Sequence, residues 1–172
     1  WPDFGFYAPL FGMGSSAAIY GAGVDRAGAR EAFDLGAAQA FGGDAARFGL
    51  DQPLPSGEQT TREAEQLAAH CGALTSDILP AFVEAQRLRD AVLAQTILQA
   101  LEEVGGPVVV ITGNGHARRD IGAPRLLSYA APALSVFSLG QTEAGALPDP
   151  SLYDAWISAP APRRDDPCEV FR

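Results

Sequence analysis

The chain has 172 residues, 47% of them hydrophobic and 19% charged, which fits one domain with a real core and excludes a disordered chain. A net charge of −9 argues against binding nucleic acid or a membrane surface through a basic patch. All 12 basic residues are arginine, which excludes Schiff-base lysine chemistry, and no apolar run approaches the roughly 20 residues of a membrane-spanning helix.

Taken in order, residues 1–14 are aromatic and Gly-rich and predict a short helix to about Phe11. Trp1-Pro2-Asp3 lacks the regions of a signal peptide, and the apolar start reads as that of a processed chain or a fragment. Residues 17–22 suggest a short strand. Residues 26–35 form a helix with Ala29, Phe33 and Arg26 on one face. Residues 36–55, with Gly42-Gly43 and two prolines, suggest a short helix and then loop. Ser56 and Gln59 have the form of a capping box, so a helix runs from there to about Cys71, with Gly72 as its stop. His70, in its last turn, reads as a helix-end or core histidine rather than a ligand.

Thr75 or Ser76 caps a long helix that Gly105-Gly106-Pro107 ends after Val104. Residues 108–111 are wholly apolar and β-branched, which predicts a strand buried on both faces of a parallel sheet. Gly113-Asn114-Gly115 allows a sharp turn at its carboxyl end. A helix starts near Pro124 and stops at Pro132. Residues 134–139 and 152–157 suggest two further strands, the last at an edge. The expected architecture is α/β: a parallel-rich β-sheet flanked by helices, with a helical insertion between the first and second strands. Residues 1–158 make the single domain and 159–172 a C-terminal tail. Cys71 and Cys168 lack zinc-like partners at short spacing. They form either a disulfide, which would stabilise the fold by about 4–5 kcal/mol, or two unpaired thiols.

Two stretches carry candidate chemistry. In open α/β sheets ligands sit beyond the carboxyl ends of strands, which singles out His116, Arg118, Arg119 and Asp120 after the glycine turn. The alternative is a plain turn with solvated arginines. On the long helix, Ile78, Leu79, Phe82, Leu93, Ile97, Ala100, Leu101 and Val104 form an apolar stripe. Glu84, Arg87, Gln95, Gln99 and Glu102 fall on the opposite, solvent side. Gln86, Arg89 and Asp90 interrupt the stripe. Such a trio either pairs internally or lines a polar hollow shared with His116.

The run from Gln86 to Asp90, the run from Thr112 to Pro124, His70-Cys71 and Asp166-Pro167-Cys168 resemble the ChaN-like haem-binding uptake proteins, which are related to Tiki/TraB and erythromycin esterase-like proteins. The resemblance implies a pocket built on two strand-end motifs. Gly113 to His116 matches one, Gly-x-Gly-His. The other, Gly-Glu-x-His, is missing, so the likeness is to the second part of a family domain. The implied ligand-binding set is Gln86, Arg89, Asp90, Gly113, Asn114, Gly115, His116, Arg118, Arg119 and Asp120.

Two functions follow from the resemblance. The first is haem binding in iron acquisition, often at a dimer surface and in an exported lipoprotein of the bacterial periplasm or outer membrane. Its axial ligand is His116, Tyr7, Tyr20, Tyr129 or Tyr153, with Arg118, Arg119 and Arg125 for the propionates. The second is hydrolysis, His/Glu-based or dependent on a divalent metal ion. There His116 is metal ligand or general base, Arg89 an oxyanion or substrate anchor, and Asp90 the orienting group. One histidine is few for a catalytic metal, and no Gly-x-Ser-x-Gly elbow is present. A third reading is a structural or interaction domain.

Overall fold

A computed structural model of the chain describes residues 4–13, 16–143, 145, 149–161 and 165–169. Helix α5, Leu79–Val104, is its axis. Its 26 residues span about 39 Å. Straight-chain helix formers fill it, Pro80 sits in its first turn, and Gly105 at φ +77° ends it. It starts later than Thr75 or Ser76. Those residues form a turn in which Ile78 N–H donates to the Thr75 carbonyl, and Ile78 is the N-cap.

Helices α2 (Arg26–Leu35), α3 (Ala37–Phe41), α4 (Ser56–Ala69) and α7 (Ala123–Ala130) all pack on α5. Small residues make the close approach: Ala32, Ala37, Ala91 and Ala94 are fully buried around Leu88. A 3₁₀ turn, Ala45–Phe48, adds Phe48 to this core. Asp25 caps α2 by accepting from Gly28 N–H at 2.7 Å, and Phe33 meets Phe82 edge-on at 5.5 Å. The capping box expected at Ser56 does not form. Pro55 is the N-cap, without a side-chain bond, and Gln59 donates to Glu63 instead.

His70 caps the end of α4, with Nδ1 2.8 Å from the Gln66 carbonyl and its ring against Phe82, the structural role expected of it. Cys71 follows at φ +58° and is disulfide-bonded to Cys168, so residues 165–169 are tied to the α4–α5 turn. Helix α1, Phe4–Met13, covers the expected N-terminal helix.

The sheet is small. β1 (Leu139–Glu143) and β2 (Ala155–Ala159) pair in parallel, with Leu139 opposite Ala155 and Glu143 opposite Ala159. Both lie a few residues beyond the expected strands. Residues 18–22 are irregular, and residues 108–111 pair with no strand, with Val109 84% exposed. The helical insertion expected between those two segments therefore has no flanking strands among the described residues. A β-branched run encodes fitness for a pleated, covered surface. Whether neighbours are there to cover it is a separate matter.

Arg87 reverses an expectation. Placed on the solvent side of α5 by periodicity, it is buried at 7% exposure. Neighbouring helices cover several faces of α5, not one stripe. Arg87 donates to Glu84 and to the carbonyls of Gly49, Leu50 and Gln52, which satisfies its charge and its N–H groups.

A histidine–aspartate pair beside the sheet

The glycine turn leads into one helical turn, α6 (Asn114–Ala117), opened when the Gly113 carbonyl accepts from His116 and Ala117 N–H. Several contacts lock it against the sheet. The Asn114 amide side chain brackets Gln141, donating to its carbonyl and accepting from its N–H at 3.0 Å, as a neighbouring strand would. Tyr153 lies over Gly140, where a Cβ would come within 2.8 Å of the ring, and donates to the Asn114 carbonyl. Ser138 Oγ donates to the Ala117 carbonyl. From the other side Gly122 presses on the turn: a Cβ there would sit 2.4 Å from the His116 carbonyl oxygen.

So held, His116 reaches α5. Its Nδ1 is 2.6 Å from Asp90 Oδ1, with the imidazole 27% and the Asp90 side chain 6% exposed. Burial pushes the Asp90 carboxyl above its ordinary range, against the opposing pull of His116, Arg62 and Arg89. With Asp90 ionised, a neutral imidazole donates from Nδ1 and keeps its lone pair on Nε2. Nε2 has no hydrogen-bond partner among the described residues.

The pair borders a hollow of about 140 Å³ lined by Arg62, Glu65, Gln66, Val83, Gln86, Asp90, Gly115, His116, Arg118 and Ile121. Gln66 Oε1 is buried there with no hydrogen-bond partner among the described residues. Arg62 donates through Nε to Glu58 Oε1 at 2.9 Å, and Arg125 shares that oxygen at 2.8 Å. Desolvation works to raise the Glu58 pKa, but the two arginines bring it below its ordinary value. Arg118 binds Asp120 and Glu65, which raises the guanidinium pKa; Asp120, despite its own desolvation, is lowered in return. A second, larger hollow of about 530 Å³, walled by Phe48, Leu50, Pro53, Arg87, Arg125 and Tyr129, shares Arg62 and Ile121 with the first.

Of the residues singled out in the sequence, Gln86, Asp90, Gly115, His116 and Arg118 meet at one hollow. Gly113 and Asn114 shape the turn. Arg89 is half-buried but does not line the hollow, and Asp120 serves Arg118. Arg119 turns to Asp154 at 2.9 Å. Among the candidate tyrosines, Tyr20 donates to Glu103, Tyr129 accepts from Arg125, and Tyr153 is buried with its pKa raised by desolvation. Tyr7 lies half-buried on α1. The contribution of α4 was missed. Glu58, Arg62 and Gln66 recur every fourth residue, so they share one helix face, and that polar stripe is the signal available in the sequence. Among the described residues no three His, Cys, Asp or Glu side chains come together as a metal site.

A carboxylate-oriented histidine thus stands at a turn between a parallel strand pair and a helical layer, in a helix-rich fold of α/β character. The chain belongs to the family described as "Haem-binding uptake, Tiki superfamily, ChaN", whose model matches residues 1–127, a span that includes α4, α5 and the His116 turn. No curated protein and no solved structure matches the chain.

Proposed function

We propose that the chain binds haem for iron or haem acquisition, with His116 Nε2 as the axial ligand. The observation that carries this reading is the His116–Asp90 pair: a histidine whose Nδ1–H is held by a carboxylate has its ring orientation fixed and Nε2 left as the ligand atom. The hydroxyls of Tyr20, Tyr129 and Tyr153 are engaged elsewhere, which favours His116 over them. A hollow of 140 Å³ is well below the ~300 Å³ at which small-molecule pockets begin. The residues therefore fit axial ligation at an open rim better than enclosure of a macrocycle. Arg119, 52% exposed in a single ion pair, is better able to turn to a propionate than Arg118, which has two carboxylate partners. Bound haem would supply the iron centre; the protein supplies ligand, orientation and charge. The disulfide favours an oxidising compartment, in keeping with export to the periplasm or outer membrane. Hemin titration followed by the Soret band tests the reading. A shift that is lost in His116→Ala and kept in Tyr20→Phe and Tyr129→Phe is expected; no shift, or one indifferent to His116, refutes it.

A second reading, His/Glu-based hydrolysis, is favoured by the small hollow, where Arg62 and the unpartnered Gln66 Oε1 stand beside the oriented imidazole. In it His116 is the general base, Asp90 its orienting group, and Arg62 takes the anchoring role expected of Arg89. Turnover of ester or amide substrates that is lost in His116→Ala, without added hemin, would favour it.

A further inference from the structure

We propose that the larger hollow is a binding site for an organic monocarboxylate with an apolar, ring-bearing body, separate from the His116 site. Its volume of about 530 Å³ lies within the range of small-molecule pockets. The 3₁₀ turn Ala45–Phe48, the loop 49–55 and helices α4, α5 and α7 wall it. Phe48, Leu50, Pro53, Leu54, Ile121 and Leu126 give it apolar sides, and Tyr129 stands at its rim, 50% exposed. That ring is held in place by the protein itself. Its hydroxyl accepts from Arg125 Nε at 2.7 Å, and the ring lies against Gly49, where a Cβ would come within 3.1 Å. Gly49 is also at φ +69°, so the close approach and the backbone both call for glycine there.

Charge selects the ligand. Three arginines reach the hollow in a chain of net charge −9. Arg87 is paired with Glu84 and donates to three loop carbonyls. Arg62 and Arg125 share one carboxylate oxygen, Glu58 Oε1, so two guanidinium groups stand side by side with a single negative charge between them. Arg62 Nη1 and Arg125 Nη2 make no hydrogen bond among the described residues. Neither is among the buried polar atoms without a partner, so both stay open to a ligand. Adjacent N–H donors on two planar forks match the two oxygens of a carboxylate, and the uncompensated charge matches its single negative charge. Asp51, exposed where it lines the hollow, opposes a second negative charge, so a phosphate dianion fits less well. Haem fits poorly for another reason. No His, Cys or Met is among the described residues that line the hollow, and the Tyr129 hydroxyl is engaged, so iron would find no axial ligand there. The inference does not rest on the haem reading.

Calorimetric titration with naphthoate, its uncharged analogue naphthamide and naphthyl phosphate tests it, with amide chemical shifts followed on the same samples. Naphthoate should bind one per chain and about tenfold or more tighter than the other two, the scale of one charge-assisted hydrogen bond. Arg125→Gln should lose about that factor for naphthoate, and His116→Ala should lose none. Leu54→Trp, which adds bulk to the wall without touching a charge, should abolish binding. In wild type the shift changes should centre on residues 46–55 and 121–129, a readout that stands even if a variant fails to fold. Naphthamide bound as tightly as naphthoate would mean apolar adhesion alone, and a preference for naphthyl phosphate would mean another class of anion. Either result overturns the proposal, as do absence of naphthoate binding and shifts centred elsewhere. Displacement of hemin by naphthoate would also overturn it, by making the hollow part of the His116 site.

Discussion

Asp90 carries opposed demands. Buried at 4% exposure, its carboxylate orients His116 but is disfavoured by desolvation. Because its folded pKa lies above the unfolded value, its contribution to stability declines as pH rises from the ordinary carboxyl range through the folded value. Asp90→Asn should therefore leave the melting temperature at neutral pH equal to or above wild type, while weakening hemin binding by about 10–100-fold. A variant that loses stability and affinity together would show the carboxylate to be structural. Glu58 has the opposite sign. Its lowered pKa means that its stabilisation is present above the unfolded carboxyl range and is lost as pH falls through the folded value. The urea midpoint should fall steeply below about pH 4–5. Glu58→Gln should flatten that fall and cost about 1–3 kcal/mol at neutral pH, since buried Arg62 loses a charged partner.

At the scale of elements, the site depends on how α6 is wedged between β1 and the start of α7. Gly122→Ala forces its Cβ into the His116 and Arg118 carbonyls. It should cost about 1–3 kcal/mol and weaken hemin binding as well. Gly57→Ala, in α4 with open space around it, is the matched control and should be neutral or stabilising by up to about 1 kcal/mol. Equal losses in both variants would remove the packing argument. The Cys71–Cys168 bridge closes a loop of sequence separation 97. Reducing it should cost about 4–5 kcal/mol in the chain-entropy model, read as a drop in urea midpoint that Cys168→Ser reproduces and that reductant does not deepen further.

Over the whole molecule, acidic residues outnumber basic ones by 21 to 12, while residues 104–115 and 126–142 carry no charge. With a net charge of −9, mutual repulsion opposes the folded state, so added salt should screen it and raise the urea midpoint. Urea unfolding at low and high ionic strength checks the sign. A midpoint that falls with salt would show that the ion pairs outweigh the repulsion.

Local signals were readable where short-range chemistry suffices. Helix α2 ran over the residues its periodicity marked, Gly105 ended α5, Pro124 opened α7, and the Gly113–His116 turn stood out by composition alone. Of the polar interruption at Gln86, Arg89 and Asp90, two members border the hollow beside His116, since a buried carboxylate demands a partner somewhere, and Arg89 does not. What those cues could not supply was the number of neighbours around each element. Arg87 looked solvated on a helical wheel, yet several helices crowd α5 and three loop carbonyls receive its guanidinium. Residues 108–111 looked like a strand covered on both faces, yet Val109, Val110 and Ile111 lie exposed. Periodicity reports which face prefers cover; covering it takes another part of the chain, or another chain, brought there by long-range packing. The same holds for Arg62 and Gln66, which join His116 only because α4 and α5 pack side by side.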